Sequence, residues 1–191
     1  MNYVDGRRKL VEYRKRIEEL RADMRRTQES IEPVEVEDYV FESAERGRVR
    51  LSQLYGARDH LFVIHNMGAS CPYCTLWADG FSGVLEHLRS RAAFVVSSPD
   101  PPEKQAEFAA SRGWKFPMVS VRGSTFSRDM GYRTDEGWLP GVSVFRRDGG
   151  RILRVSDAEF RLGDDFCGLW HLFDLIPEGA QGWEPRFCYP S

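Results

Sequence analysis

Apolar positions between residues 7 and 30 recur every three or four residues, which is the period of an α-helix. The stripe consists of Leu10, Tyr13, Ile17, Leu20 and Met24. Charged side chains fill the other faces, and Pro33 ends the helix. The stripe covers about two and a half heptads, which is too short to establish a coiled coil. The helix therefore lies on its own domain, which we favour, or packs on a partner subunit, as in a homodimer.

Short apolar runs alternate with helical stretches in the rest of the chain. Residues 60–67 and 92–98 are apolar and contain β-branched side chains, which predicts two buried strands. The stretches 72–90 and 104–112 predict the helices that follow them, and Gly113 is suited to end the second helix. These elements form a β-α-β-α unit.

Two hairpins and a last helix complete the predicted elements. Residues 36–41 predict a strand that turns at 45–48 and returns through Val49 and Leu51. Residues 142–146 alternate, and Asp148-Gly149-Gly150 predicts a tight turn into a partner strand over 151–155. A final helix is expected over 163–175. The order predicts an α/β fold with a mixed central sheet flanked by helices. We expect a helical extension over 1–33, one domain over 34–177 and a tail over 178–191.

Composition narrows the function classes. The chain has 191 residues, 13 % of them aromatic, which is typical of a globular protein. The net charge of −2 argues against nucleic acid or an anionic membrane as the main partner. No apolar run is long enough for a signal sequence or a membrane span, so we expect a cytoplasmic protein. In that compartment cysteines are reduced thiols or redox groups.

Cys71 and Cys74 carry the clearest chemistry in the sequence. They lie between a predicted buried strand and a helix, with Pro72 at the first helical position. The free N–H groups and dipole of a helix N-terminus favour a thiolate at Cys71. Cys74, one turn later, is in reach to form a disulfide with it. This arrangement suits thiol–disulfide exchange, with Cys71 as the attacking and Cys74 as the resolving sulfur.

A zinc site is the main alternative for this cysteine pair. Tetrahedral zinc needs four ligands, and the sequence has no second Cys-x-x-Cys and no His-x-x-x-His. The spacing of Cys167 and Cys188 does not suggest that they complete such a site, and we expect both to be buried or incidental thiols. We therefore expect no metal and no cofactor.

The sequence resembles the thioredoxin-like superfamily in two motifs that occur in the right order. One is the strand, loop, Cys71-Pro72-Tyr73-Cys74 and following helix, with the Pro-Tyr pair that glutaredoxins carry. The other is Leu139-Pro140-Gly141 before a strand that ends in Asp-Gly, which is similar to the family's cis-proline segment. A closer resemblance, over nearly the whole chain, is to bacterial thioredoxin-like proteins labelled predicted dithiol–disulfide isomerases. It is carried by segments such as 39–42, 51–55, 65–67, 71–81, 112–117 and 174–179.

This resemblance implies further site residues. His65 occupies the place of a buried acid that takes the proton of the resolving cysteine in thioredoxins, so it is the candidate base; a histidine bonded inside the sheet is the alternative. A cis peptide bond at Pro140 would set Leu139 and Pro140 beside the two sulfurs. Pro117 competes for that role. The remaining candidate substrate contacts are Tyr73 and Trp77.

The function indicated is a dithiol–disulfide oxidoreductase that acts on a protein or small-molecule disulfide and draws on an unidentified electron donor. One alternative is a peroxiredoxin-like thiol peroxidase, because the segment 51–55 and Phe116-Pro117 resemble segments of that family. Ala69 and Ser70, however, do not fit the Thr-x-x frame that precedes the peroxidatic cysteine. The other alternative is a non-enzymatic scaffold protein with a thioredoxin fold.

Overall fold

The computed structural model describes residues 1–190, which fall into two compact units; along the chain, the first ends at Pro33 and the second begins at Val34. The first unit is built on helix α1 (Tyr3–Ser30), which begins where the Asn2 side chain accepts a hydrogen bond from the backbone N–H of Asp5. No residue of α1 is buried, and every member of its apolar stripe is at least 44 % exposed. The surface against which this stripe packs, its own domain or a partner subunit, therefore stays a prediction.

The second unit is an α/β domain around one mixed sheet. Its strands are β1 (Val34–Val36), β2 (Val40–Ser43), β3 (Gly47–Arg50), β4 (His60–His65), β5 (Ala93–Ser98), β6 (Met118–Ser120), β7 (Gly141–Asp148) and β8 (Arg151–Glu159). Its helices are α2 (Pro72–Gly83), α3 (Leu85–Arg91), α4 (Pro102–Arg112), α5 (Phe126–Asp129) and α6 (Gly168–Phe173). The strand order is β1-β8-β7-β4-β5-β6-β2-β3. The predicted mixed sheet flanked by helices is confirmed.

The centre of the sheet positions the candidate site. Strands β4, β5 and β6 are parallel, so their carboxyl ends meet at one edge, while β7 runs antiparallel to β4. Alternate side chains of β4 enter two different cores. Leu61 and Val63 join one cluster, whereas Ile64 joins the cluster that contains Trp77 of α2, with Phe62 packed against it. Helix α2 therefore covers one face only.

The turn between β7 and β8 matches its sequence signal, whereas the helix predicted over 72–90 is divided into α2 and α3. Gly149 and Gly150 both have positive φ, 55° and 93°, which is the two-residue turn expected between β7 and β8. The helix predicted over 72–90 is interrupted at Val84, whose φ of −117° and ψ of 14° are not helical. Gly80 and Gly83 weaken the helix just before this break.

The edge strands differ from the prediction. The strand predicted over 36–41 is divided: β1 pairs with β8 at one edge of the sheet, and β2 pairs with β3 and β6 at the other. Strand β8 continues beyond the predicted residue 155 to Glu159, and the last helix is limited to α6. Helix α6 begins only after a turn in which the Asp164 carboxylate accepts from the N–H groups of Phe166 and Cys167. Among the helices of residues 1–190, none combines the length and the apolar character that a membrane span requires.

Candidate functional site

Cys71 lies at the N-terminus of α2, where the chain turns from the loop after β4 into the helix. It is the N-cap residue, with extended backbone, and Pro72 follows at the first helical position. Its sulfur accepts a hydrogen bond from the backbone N–H of Cys74, 3.1 Å away. The Thr75 hydroxyl donates to the Cys71 carbonyl at 3.0 Å, which fixes the first turn. The predicted position of Cys71 at a helix N-terminus is confirmed.

The two thiols have opposite acidities. A hydrogen bond from the Cys74 side chain lowers the pKa of half-buried Cys71 to about 7, with further help from the backbone N–H groups of Cys74 and Tyr73, although burial opposes the shift. Cys74 is only 3 % exposed. Its hydrogen bond to Cys71 and its burial both raise its pKa. Near neutral pH the accessible sulfur is therefore a thiolate in about half of the molecules, whereas the sheltered sulfur stays a thiol.

Two residues that the sequence analysis missed hold the loop before Cys71. Asn66 accepts from the N–H of Gly68 at 2.8 Å, and its amide donates to the Cys74 carbonyl at 3.5 Å. Asp100, which follows β5, accepts from the N–H of Ala69 at 2.7 Å. Gly68 has a φ of 111°, and a Cβ there would come within 2.8 Å of the Asp100 carboxylate. The only signal in the sequence was Asn-x-Gly after a strand, a pattern of tight turns.

His65 does not take the predicted role of base for Cys74. Its neighbour Ile64 packs in the cluster of α2, so His65 points to the opposite face of the sheet. There its Nε2 lies 2.9 Å from the Ser143 hydroxyl, and its ring stacks on Tyr132 with 3.8 Å between centroids. Burial lowers the pKa of His65 to about 3, so the ring is neutral. The alternative, a histidine bonded inside the sheet, is the correct one.

The cis bond expected at Pro140 is also wrong, because all peptide bonds of residues 1–190 are trans. The Leu139 N–H donates to the Tyr132 carbonyl, and the Pro140 carbonyl accepts from the Phe160 N–H, both at 2.9 Å. These bonds lead the segment into β7 in the trans form that most X-Pro bonds adopt. Pro117, the competing residue, is trans as well and precedes β6. Leu139 and Pro140 are half-buried and lie near the end of β4.

The other two candidate substrate contacts lie in different environments. Tyr73 is half-buried in the first turn of α2, next to Cys71. Trp77 is only 4 % exposed, packs on Phe160 and donates from its indole to Asp164 at 3.3 Å. Trp77 is thus a core residue with almost no surface for a substrate, and its predicted contact role is wrong.

The remaining cysteines lie outside the pair. Cys167 is buried, and this burial raises its pKa. Cys188 is exposed in the tail, which is tied to the domain where Arg112 donates to the Phe187 carbonyl and pairs with Asp79. Within residues 1–190, no three His, Cys, Asp or Glu side chains are grouped so that they could hold a metal ion.

Solved structures with the same fold include several peroxiredoxins. The bacterioferritin comigratory protein of Xanthomonas campestris, described for its alkyl peroxide reduction, is 16 % identical, with a TM-score of 0.57 over 68 % of this chain and 83 % of its own. The peroxidoxin BcpB of Mycobacterium tuberculosis is 28 % identical, with a TM-score of 0.52 over 63 % and 80 %. An uncharacterized conserved protein of Geobacillus kaustophilus is 14 % identical, with a TM-score of 0.51 over 82 % and 85 %.

These likenesses establish the thioredoxin-like fold that the sequence predicted. No curated protein matches the chain. A family model described as "Bacterial protein of unknown function (DUF899)" matches residues 1–188, nearly the whole sequence. The chain, which has a thioredoxin-like fold, therefore belongs to this bacterial family of unknown function.

Proposed function

We propose that the protein is a dithiol–disulfide oxidoreductase in which Cys71 attacks and Cys74 resolves. The observation that carries the proposal is the hydrogen-bonded pair itself. The half-buried sulfur has its pKa lowered to about 7, and the buried sulfur donates to it. A thiolate whose pKa lies near ambient pH is close to the optimum for attack on a disulfide.

The reaction proceeds in two balanced steps. The Cys71 thiolate attacks one sulfur of a substrate disulfide, so that a mixed disulfide forms and one substrate thiolate leaves. Cys74 then loses its proton, attacks the Cys71 sulfur and releases the second substrate thiol. In forming the Cys71–Cys74 disulfide the protein has passed two electrons to the substrate. Two external thiol groups then reduce this disulfide to the dithiol and are themselves oxidised to a disulfide. Such thiols are abundant in the cytoplasm, the compartment that we propose for this protein.

A thiol peroxidase is the second candidate, supported by the peroxiredoxin names of the structural neighbours. The trans bond at Pro140 also removes a feature that the thioredoxin resemblance implied for disulfide exchange. In this reaction the Cys71 thiolate takes the terminal oxygen of a hydroperoxide and becomes a sulfenic acid, while an alcohol leaves. Cys74 then condenses with the sulfenic acid to a disulfide and releases water.

Parallel assays of one set of variants separate the candidates. Wild type, Cys71→Ser, Cys74→Ser and the control Cys188→Ser are tested for insulin reduction and for hydroperoxide consumption, with dithiothreitol as the reductant. We expect insulin reduction by wild type and by Cys188→Ser, and its loss in Cys71→Ser. Consumption of hydroperoxide without insulin reduction would replace the first candidate by the second. Activity in neither assay would favour the scaffold.

A trapping experiment tests the order of the two cysteines. Cys74→Ser should accumulate a mixed disulfide on Cys71 with insulin, because nothing resolves it. Mass spectrometry identifies the modified peptide. A mixed disulfide found on Cys74 in the Cys71→Ser variant, with none on Cys71 in Cys74→Ser, would reverse the assigned roles.

A further inference from the structure

A cavity of about 420 Å³ opens at the edge of the sheet where the parallel strands end. Its walls come from three separate parts of the chain: Pro99 directly after β5, the segment 121–128 after β6, and Arg133 with Trp138 before β7. The volume lies within the range of small-molecule sites. None of the site residues described above lines it.

The cavity lies next to the loop that carries Cys71. Its wall residue Pro99 precedes Asp100, and the Asp100 carboxylate accepts the Ala69 N–H, two residues before Cys71. The same edge holds the carboxyl end of β4, because β4, β5 and β6 are parallel neighbours. With strands about 4.8 Å apart, the end of β6 lies roughly 10 Å from the end of β4. A ligand held in the cavity would therefore lie at the same edge of the sheet as the loop that carries Cys71.

The walls carry concentrated positive charge. Arg122, Arg128 and Arg133 all line the cavity. Within residues 1–190, no salt bridge involves any of the three, whereas other arginines of this domain, such as Arg112, are paired. The neighbouring acid Asp129 already accepts hydrogen bonds from the hydroxyls of Tyr39 and Thr125. The acidic pair of the adjoining turn, residues 135 and 136, is not part of the lining.

One guanidinium is held in place by an aromatic ring. Arg133 lies over the ring of Trp138, 5.0 Å from its centroid, and both are half-buried. Stacking engages the face of a guanidinium and leaves the N–H groups at its edge free to bind a carboxylate or a phosphate. The cavity thus combines a positioned guanidinium, two further cations and an apolar wall.

We propose that this cavity binds the anionic part of the small molecule that reacts at Cys71, through carboxylate or phosphate groups. The inference rests on the proposed function, since it concerns the substrate of the same site. It predicts that the dithiol prefers negatively charged small disulfides to uncharged ones of similar size. Two or three negative charges on the ligand match the cations in the walls.

Two aromatic disulfides test this preference. Dithiobis(nitrobenzoate) carries a carboxylate on each ring, and dithiodipyridine is uncharged; each releases a coloured thiol. Their rates with the reduced wild type are compared with those of the double variant Arg122→Gln/Arg128→Gln. The matched control is Arg46→Gln/Arg48→Gln, which removes the same charge from two exposed positions, one in the β2–β3 turn and one in β3.

We expect the rate constant for dithiobis(nitrobenzoate) to fall at least about tenfold in the cavity variant, because each hydrogen bond between ionised groups contributes about that factor. The rate with dithiodipyridine should change less than about twofold, as should both rates in the control, where only screened long-range charge is altered. The inference would be overturned if the cavity variant lost the same factor in rate with both disulfides. It would also be overturned if the cavity variant and the control variant lost the same factor with dithiobis(nitrobenzoate).

A direct binding measurement tests whether the cavity binds anions independently of whether the dithiol reacts. Citrate and pyrophosphate are titrated into Cys71→Ser, which cannot react, while the indole N–H signal of Trp138 is followed by NMR and assigned with Trp138→Phe. We expect at least one anion to shift this signal, and the shift to vanish when Arg122 and Arg128 are replaced. Tighter binding of citrate identifies a carboxylate ligand, and tighter binding of pyrophosphate a phosphate.

An unmoved signal, or one that moves equally in the arginine variant, contradicts the cavity assignment even if the dithiol reacts. If neither disulfide reacts with wild type, the proposed function fails, and this titration still decides whether the cavity binds anions.

Discussion

The hydrogen bond from Cys74 to Cys71 leads to the most direct prediction, which concerns the variant Cys74→Ala. The pKa of Cys71 is lowered from 9.0 to about 7, and the largest cause is the side chain of Cys74. Two pKa units correspond to about 2.7 kcal/mol. The backbone N–H groups of Cys74 and Tyr73 remain in the variant, so part of the lowering remains. We therefore expect the pKa of Cys71 to rise by about one unit or more.

The measured quantity is the midpoint of the pH profile, not the rate at one pH. At pH 7 a rise of about one unit lowers the thiolate fraction from about one half to about one tenth. The more basic thiolate is also intrinsically more nucleophilic, which offsets part of this loss in rate. Short iodoacetamide pulses at a series of pH values, with mass spectrometry of the Cys71 peptide, give the midpoint for Cys71 alone. The thiolate absorbance in the ultraviolet is an independent measure.

Cys74→Ser is the matched control, because a hydroxyl still donates to the thiolate. It should retain more of the pKa lowering than Cys74→Ala, and Cys188→Ser should keep the wild-type midpoint. In wild type, Cys71 should be alkylated faster than Cys74, Cys167 or Cys188. A midpoint that stays at about 7 in Cys74→Ala would refute the reasoning, since the lowered pKa would then come from the helix N-terminus alone.

The same pair gives the reduced protein a pH-dependent stability. The pKa of Cys71 is lower in the folded than in the unfolded chain, so its stabilising contribution is complete above about pH 9 and is lost as the pH falls through about 7. The pKa of Cys74 is raised by folding, so its contribution is lost as the pH rises above about 9. Between about pH 7 and pH 9 the unfolding free energy of the reduced protein should therefore rise by up to about 2–3 kcal/mol. Urea unfolding of wild type and Cys74→Ala at several pH values tests this, with a smaller rise expected in the variant.

Three further predictions follow from the fold. His65→Ala should lower the unfolding free energy by about 1–3 kcal/mol, through the lost stacking and hydrogen bond, yet leave the pKa of Cys71 unchanged; a shifted alkylation midpoint would restore His65 to the site. Gly141→Ala should destabilise the protein in urea unfolding by more than about 1 kcal/mol, because its Cβ would meet the Tyr132 ring; wild-type stability would contradict this close packing. The stripe of α1 is flanked mostly by arginine and lysine, so a homodimer through this helix should tighten as salt screens the repulsion, and sedimentation that shows weaker association at high salt would exclude this pairing.

The sequence by itself determined the features that depend on neighbouring residues. Pro72 at the first helical position, directly after Cys71, predicted Cys71 at a helix N-terminus, because helix starts are governed by local chemistry. The turn at Gly149-Gly150 followed in the same way, since it requires positive φ at consecutive residues. Apolar runs predicted the buried strands β4 and β5, and with them the edge of the sheet where the dithiol lies.

Tertiary structure alone decided which distant segments meet. The face on which His65 lies depends on the packing of β4 between two cores, and the pairing of β1 with β8 joins residues more than a hundred positions apart in the chain. The trans bond at Pro140 goes with hydrogen bonds to Tyr132 and Phe160, which no local pattern specifies. The arginine-lined cavity is built from three separate segments. Its charge comes together only because parallel strands end at one edge of the sheet.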